Sequence, residues 1–340
     1  MFFCLEDIAI LLIRTKIRNK NYLTGYHCNV RIYRCEKIYN GRDMEKVNKI
    51  VPHLWFDKEA KEAADFYTKI FDNSKVRSSA IVPGTPSGDA EIIDFEIMGM
   101  RFQAISAGPY FKTNPSISFM VSLGTKEEVD SIWASLAEGG EIFMPLSEYP
   151  FSKWYGWVKD RYGVTWQLIL VEGETPGQSI KPCLLFSEKA CGLAGEAVGF
   201  YTDVFRDSSI GIISKYGEGE ALAKDAKVNF AAFKLEGVEF VAMDNAMEAD
   251  FTFNEALSLI VMCKDQNEID YYWEKLSAVA EAEQCGWIKD KYGLSWQIIP
   301  ESMDEVFYMG SNDEVARVTE SFLKMKKIDL AELERARQGI

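Results

Sequence analysis

The chain has 340 residues, of which 26% are charged and 47% hydrophobic, with a formal charge of −14, a length that suits about two domains of ordinary size. That acidity argues against nucleic acid and anionic membrane as partners, since both are polyanions and would be repelled at long range. Seven cysteines without a Cys-x-x-Cys pair read as thiols of a reducing, cytoplasmic protein, and only His27 and His53 are available for imidazole chemistry.

Residues 1–43 carry eight Lys or Arg against four Asp or Glu, which leaves about −18 on the remainder. The apolar run from Phe2 to Ile13 is interrupted by Glu6 and Asp7, is too short to span a bilayer and lacks a small-residue cleavage site. The segment is expected to be a poorly ordered upstream extension, with Met44 as the natural start.

A first unit covers 45–172. A strand is expected over 51–56, followed by a helix that Asp57 caps and that Ala60, Ala63, Ala64, Tyr67, Ile70 and Phe71 bury at helical spacing. Strands over 78–82, 91–97 and 100–107 follow. A second round opens with a strand over 117–123 and a helix with the capping box Thr125/Glu128 and the apolar stripe Val129, Ile132, Trp133 and Leu136. Strands over 141–144, 156–160 and 164–171 complete the unit, with a turn at 160–163 and a loop at 145–155.

Residues 173–179, rich in Gly, Pro and polar side chains, form a linker. A second unit over 180–302 repeats the first. Gly156-Trp157-Val158-Lys159-Asp160-Arg161-Tyr162-Gly163-Val164-Thr165-Trp166-Gln167-Leu168-Ile169 returns 130 residues later as Gly286-Trp287-Ile288-Lys289-Asp290-Lys291-Tyr292-Gly293-Leu294-Ser295-Trp296-Gln297-Ile298-Ile299. Pro52-His53-Leu54-Trp55-Phe56 likewise becomes Pro182-Cys183-Leu184-Leu185-Phe186, and Asp265/Glu268 repeats the cap. The offset rises to 140 in between and falls back to 130, so the second unit lacks ten residues matching most of 139–155. A loop kept in only one of two related units suggests a pocket lid. Residues 303–340 form a C-terminal helical segment, with helices over 312–326 and 329–337, the latter capped by Asp329 with Glu332.

The start Val51-Pro52-His53-Leu54-Trp55-Phe56-Asp57, the helix Glu62-Ala63-Ala64-Asp65-Phe66-Tyr67-Thr68-Lys69-Ile70-Phe71 and the end Asp160-Arg161-Tyr162-Gly163-Val164-Thr165-Trp166-Gln167 resemble the vicinal oxygen chelate superfamily of glyoxalases and bleomycin resistance proteins. More narrowly the chain is similar to its PhnB-like branch, whose domain carries the label 3-demethylubiquinone-9 3-methyltransferase. Phe102-Gln103-Ala104-Ile105-Ser106-Ala107-Gly108-Pro109 and Tyr149-Pro150-Phe151-Ser152-Lys153 look like that branch too. The resemblance implies an α+β fold of tandem glyoxalase-like domains, each built of paired βαβββ units that form a curved, half-open mixed sheet. It also implies metal-ligand positions on the first and last strands of each unit: His53, Gln103, Ser116 and Gln167 in the first domain, and Cys183, Val241, Ala256 and Gln297 in a degenerate second domain.

A divalent ion in such a site is held by imidazole and carboxylate. The first domain offers one imidazole and no carboxylate, so His53, Gln103 and Gln167 make a weak metal site, and no cofactor is assigned. His53 either binds a substrate acid or acts as a base, or is satisfied by a neighbouring hydrogen bond. The expected ligand-binding set in a first-domain pocket is His53, Trp55, Gln103, Ser116, Tyr149, Trp154 and Gln167. Phe102, Phe119, Tyr155 and Trp157 either line it or belong to the core. Cys183 reads as a buried, inert thiol.

The leading expectation is metal-independent binding of a small, partly apolar molecule. The alternative is a metal-dependent glyoxalase or thiol-transferase type enzyme, that is, a lyase, isomerase or transferase using His53, Gln103 and Gln167. Methyl transfer is disfavoured, because Gly192-Leu193-Ala194-Gly195 does not make the strand, Gly-rich turn and helix that a nucleotide-type donor needs. The two domains are expected to pack together as an intrachain pseudo-dimer, the molecule being a monomer or a homodimer.

Overall fold

The computed structural model describes residues 49–171 and 179–340. The expected upstream extension and, apart from Ser179, the linker lie outside the described residues. Strand β1 (Ile50–Phe56), helix α1 (Ala60–Ile70) and strands β2 (Lys75–Thr85), β3 (Gly88–Ile97) and β4 (Met100–Ser106) form the first βαβββ unit. Strand β5 (Ile117–Leu123), helix α2 (Lys126–Ala137) and strands β6 (Glu141–Tyr149), β7 (Ser152–Lys159) and β8 (Thr165–Leu170) form the second. The pattern then repeats as β9 (Ile180–Phe186), α3 (Ala194–Val204), β10 (Ser209–Lys215), β11 (Val228–Leu235) and β12 (Val238–Asp244). The last unit is β13 (Leu257–Cys263), α4 (Gln266–Leu276), β14 (Trp287–Lys289) and β15 (Ser295–Pro300). Three helices end the chain: α5 (Ser302–Met309), α6 (Asn312–Phe322) and α7 (Leu330–Gln338).

Local chemistry explains most boundaries. Thr125 and Glu128 form the reciprocal capping box at α2, and Asp265 and Asp329 accept from the third backbone N–H of α4 and α7. Asp57 does not cap α1. The helix starts later, with Glu59 at the cap position and no side-chain cap, and the Ser106 hydroxyl at the end of β4 accepts from Ala60 N at 3.1 Å. Residues 145–155 are not a loop either: β6 and β7 run through them as a hairpin whose ladder carries three register shifts. The ten residues missing from the second copy therefore remove the strand equivalent to β6. Helix α5 is an additional element, ahead of the two helices expected within the C-terminal helical segment.

The repeat leaves a structural signature in each copy. Asp160 is 2% exposed and accepts from Tyr67 Oη at 2.7 Å, Trp166 Nε1 at 2.8 Å, Tyr162 N at 2.8 Å and Val164 N at 3.0 Å. Asp290 accepts from Tyr201 Oη, Trp296 Nε1, Tyr292 N and Leu294 N in the same way. Each carboxylate ties the helix of one unit to the last strand of the next, and every buried oxygen is satisfied. Gly163 and Gly293 adopt φ 89° in the turn that presents these backbone donors, a conformation that a side chain would strain.

Sheet pairing crosses the copies. One seven-stranded sheet has the order β14-β15-β13-β1-β4-β3-β2, and an eight-stranded sheet has the order β10-β11-β12-β9-β5-β8-β7-β6. The joints are antiparallel: β1 with β13, where His53 faces Ser258, and β5 with β9, where Ser118 faces Cys183. Each sheet thus combines half of one copy with half of the other. Leu54, Phe102, Phe119, Trp166, Leu184, Phe240 and Trp296 lie in the apolar core with residues of α1 to α4. Alternation along each strand puts the remaining side chains on the opposite face, which α1 to α4 leave open; on the seven-stranded sheet α5 covers part of it, and on the eight-stranded sheet it is helix-free.

Candidate functional site

The sheet pairing divides the residues expected to share one pocket. His53, Trp55 and Gln103 belong to the seven-stranded sheet, whereas Tyr149, Trp154 and Gln167 belong to the eight-stranded sheet, and Ser116 directly precedes β5 in it. The expected pocket within one copy is thereby corrected: the face of each sheet opposite α1 to α4 draws its residues from both copies.

On the first sheet, His53 and Gln103 are register neighbours on β1 and β4. His53 is 3% exposed, its ring meets Trp287 edge-on at 5.7 Å, and its Nδ1 has no hydrogen-bond partner among the described residues. Burial lowers its pKa to about 3, so the imidazole is neutral. Trp55 donates Nε1–H to Gly108 O at 2.8 Å and packs edge-on against Phe111 at 5.1 Å. Gln103 donates Nε2–H to Tyr308 Oη on α5 at 3.0 Å. Gln297 donates Nε2–H to Ser258 Oγ at 3.0 Å, and Ala256 supplies only a backbone carbonyl, to Trp55 N at 2.9 Å. The C-terminal helices pack on this sheet, α5 and α6 both against β2.

On the second sheet, Tyr155 donates its Oη–H to Gln167 Oε1 at 2.8 Å, and Gln167 donates Nε2–H to Ser118 Oγ at 2.8 Å. This pair matches Gln297 and Ser258 of the first sheet. Cys183 stands opposite Ser118 and beside Val241. Burial pushes its thiol up to about 12, against hydrogen bonds from Ser118 and Gln167, so it stays protonated and inert. Tyr149 lies on the hairpin, stacked with Phe151 at 5.6 Å and edge-on to Tyr155 at 5.7 Å. Phe151 also packs edge-on against Tyr155 at 5.0 Å.

Two positions move. Ser116 gives its backbone to Asn114 and Leu185, and Ser118, two residues on and on the same face, makes the contact with Gln167. Trp154 faces the helices, donating Nε1–H to Asp130 Oδ1 at 2.6 Å beneath Lys126 Nζ at 3.8 Å from the ring centroid. Its neighbour Tyr155 holds the face that Trp154 was expected to line. Period-two alternation makes the two opposite, and the apolar Val158 on the core side is the signal that would have chosen between them.

The donor sets do not fit a divalent ion. One face offers Cys183, Val241, Ser118 and Gln167, with the thiol protonated. The other offers His53, Gln103, Ser258 and Gln297, with both amides already hydrogen-bonded. The carboxylate beside Gln103, Asp94, is held by Arg101 Nε at 2.7 Å, so neither set has a carboxylate left to offset dehydration of the ion, and among the described residues no group of three His, Cys, Asp or Glu could hold a metal. The turn 192–195 does not suit a nucleotide phosphate, because Gly192 N and Ala194 N both donate to the buried Asp244 Oδ1 at 2.8 and 3.1 Å. No helix among the described residues is long and apolar enough to cross a membrane.

The profile of the family described as 3-demethylubiquinone-9 3-methyltransferase matches twice, over 48–169 and 178–299. A PhnB protein from Bacillus cereus, described as a 3-demethylubiquinone-9 3-methyltransferase, is 38% identical over 36% of this chain and 99% of its own, with a TM-score of 0.33. A protein from Pseudomonas aeruginosa is 22% identical over 36% of this chain and 96% of its own, with a TM-score of 0.31. Glyoxalase I from Zea mays is 11% identical over 75% of this chain and 94% of its own, with a TM-score of 0.48. Among curated proteins none matches. The chain therefore belongs to the PhnB-like family described as 3-demethylubiquinone-9 3-methyltransferase and carries its domain twice in tandem.

Proposed function

We propose that the helix-free face of the eight-stranded sheet binds a small, uncharged, partly apolar molecule, without a tightly held metal. The observation that carries this reading is the strip Tyr155–Gln167–Ser118, buried and uncharged, with the half-buried Met120, Phe151 and Trp157 around it. Trp157, the cross-strand partner of Gln167, has a buried Nε1–H without a partner among the described residues. An unsatisfied donor of this kind costs about 1–3 kcal/mol, which a ligand acceptor would recover. In this reading the Tyr149–Phe151 end of the hairpin, whose rings pack on Tyr155, serves as the lid. Burial holds both the Tyr155 hydroxyl and the Cys183 thiol protonated, which supports binding over acid–base catalysis at this face.

The test is a thermal-shift screen of neutral aromatic compounds bearing one acceptor, repeated in Gln167→Leu and Trp157→Phe. Compounds that stabilise the wild type should stabilise each variant less. Unchanged stabilisation in both variants would place binding elsewhere and refute the assignment.

A further inference from the structure

Helix α5 meets the first sheet in an unusual way. Its apolar residues Met303 and Val306 face Val318 and Leu333 of the other C-terminal helices. Toward β4 it presents polar groups one turn apart: Asp304, whose Oδ2 accepts from Arg101 at 2.6 Å, and Tyr308, whose Oη accepts from Gln103 Nε2 at 3.0 Å. Arg101 is buried and is held from its other side by Asp94 Oδ1 at 2.7 Å. The second sheet has none of these groups. In register, Glu239 replaces Arg101, Ala232 replaces Asp94 and Val241 replaces Gln103, and Glu239 pairs with Lys181 at 2.8 Å. The residues that receive α5 are therefore particular to the first face, although both faces keep the same Gln–Ser pair.

That face also has recognition capacity left unused. His53, the register neighbour of Gln103, is 3% exposed and its Nδ1 has no partner among the described residues. Helix α5 satisfies Gln103 and Arg101 but not this nitrogen. A ring carrying a hydroxyl is what the chain itself places against Gln103.

We infer that the face of the seven-stranded sheet that α5 covers is a second ligand site, for a small phenol or similar hydroxyl-bearing aromatic, occupied by the chain's own Tyr308. The side chain stands in for the ligand: its hydroxyl meets the Gln103 amide, while the Asp304–Arg101 pair latches the helix in place. The inference rests on the first sheet alone, so its failure leaves the assignment of the second sheet standing.

Calorimetry with p-cresol and toluene on Tyr308→Ala and wild-type protein tests it. Tyr308→Ala is expected to bind p-cresol at least about tenfold more tightly than toluene, because only the phenol replaces the lost hydroxyl contact, and the wild type should bind neither at this face. Toluene binding as tightly as p-cresol would mean an ordinary packing cavity, and a folded variant that binds neither would also overturn the inference. If Tyr308→Ala does not fold, Asp304→Asn carries the test, since it weakens the latch and leaves the ring in place. p-Cresol should then shift the Gln103 side-chain amide resonances saturably in Asp304→Asn, and less in the wild type, those resonances being assigned by their loss in Gln103→Leu. No shift in Asp304→Asn would sink the idea.

Discussion

His53 offers a measurement in which protein stability reports the environment of one ring. Burial lowers its pKa from 6.5 to about 3. Between those values the unfolded chain binds a proton that the folded protein excludes. The stability associated with His53 is therefore fully present above pH 6.5 and is lost as pH falls toward 3. Between pH 7 and pH 4 the loss works out at about 3 kcal/mol. Asp160 pulls the other way. Burial raises its carboxyl to about 6 against its four hydrogen bonds, so the folded protein takes up a proton before the unfolded chain does and gains about 2 kcal/mol over the same range. Asp290 shifts in the same direction. The wild-type profile alone mixes these effects, whereas the difference between wild type and His53→Gln removes everything the two proteins share. Urea unfolding at pH 7, 6, 5 and 4 should show the wild type losing about 3 kcal/mol more than His53→Gln, whatever constant cost the substitution carries. Parallel profiles would mean that the imidazole is protonated or solvated in the folded protein, and the description of a buried neutral ring would be wrong.

Gly156→Ala should destabilise the fold by about 1–3 kcal/mol, because an added Cβ would lie 2.4 Å from the Trp133 ring; a melting temperature equal to that of the wild type would contradict this packing. The equivalent Gly286 is required for a different reason, a backbone φ of 84°, so Gly286→Ala should be destabilising through backbone strain even where Ile299 can move aside. Zn²⁺ or Ni²⁺ titrated into untagged protein is expected to form no stoichiometric complex at either face. A one-to-one complex abolished by His53→Ala or Gln167→Ala would refute the argument from the donor sets.

Much of this molecule is legible without coordinates. The repeated strand ending in Trp166-Gln167 and Trp296-Gln297 identifies two copies, apolar periodicity finds the helices, and the Thr125/Glu128 and Asp265/Glu268 spacings mark two helix starts, because all of these depend on interactions within a few residues. Other features depend on partners far away in the chain. Alternation shows that Trp154 and Tyr155 face opposite ways and Val158 marks the core side, but that Trp154 packs on Asp130 and Lys126 while Tyr155 meets Gln167 depends on partners the local pattern does not name. The first helix starts at Ala60, where Ser106 can receive it, and the 145–155 segment becomes a hairpin because β7 can pair it to the sheet.

By itself, then, the sequence determined the family, the duplicated βαβββ units and the poor metal-ligand chemistry of the expected positions, since these follow from residue identity and local spacing. Only the tertiary structure decided that β1 pairs with β13 and β5 with β9. Strand pairing joins backbones, and backbone hydrogen bonds carry no record in the side chains of which copy lies alongside. The same holds for Tyr308, whose place against Gln103 comes from where α5 packs and not from any motif around it.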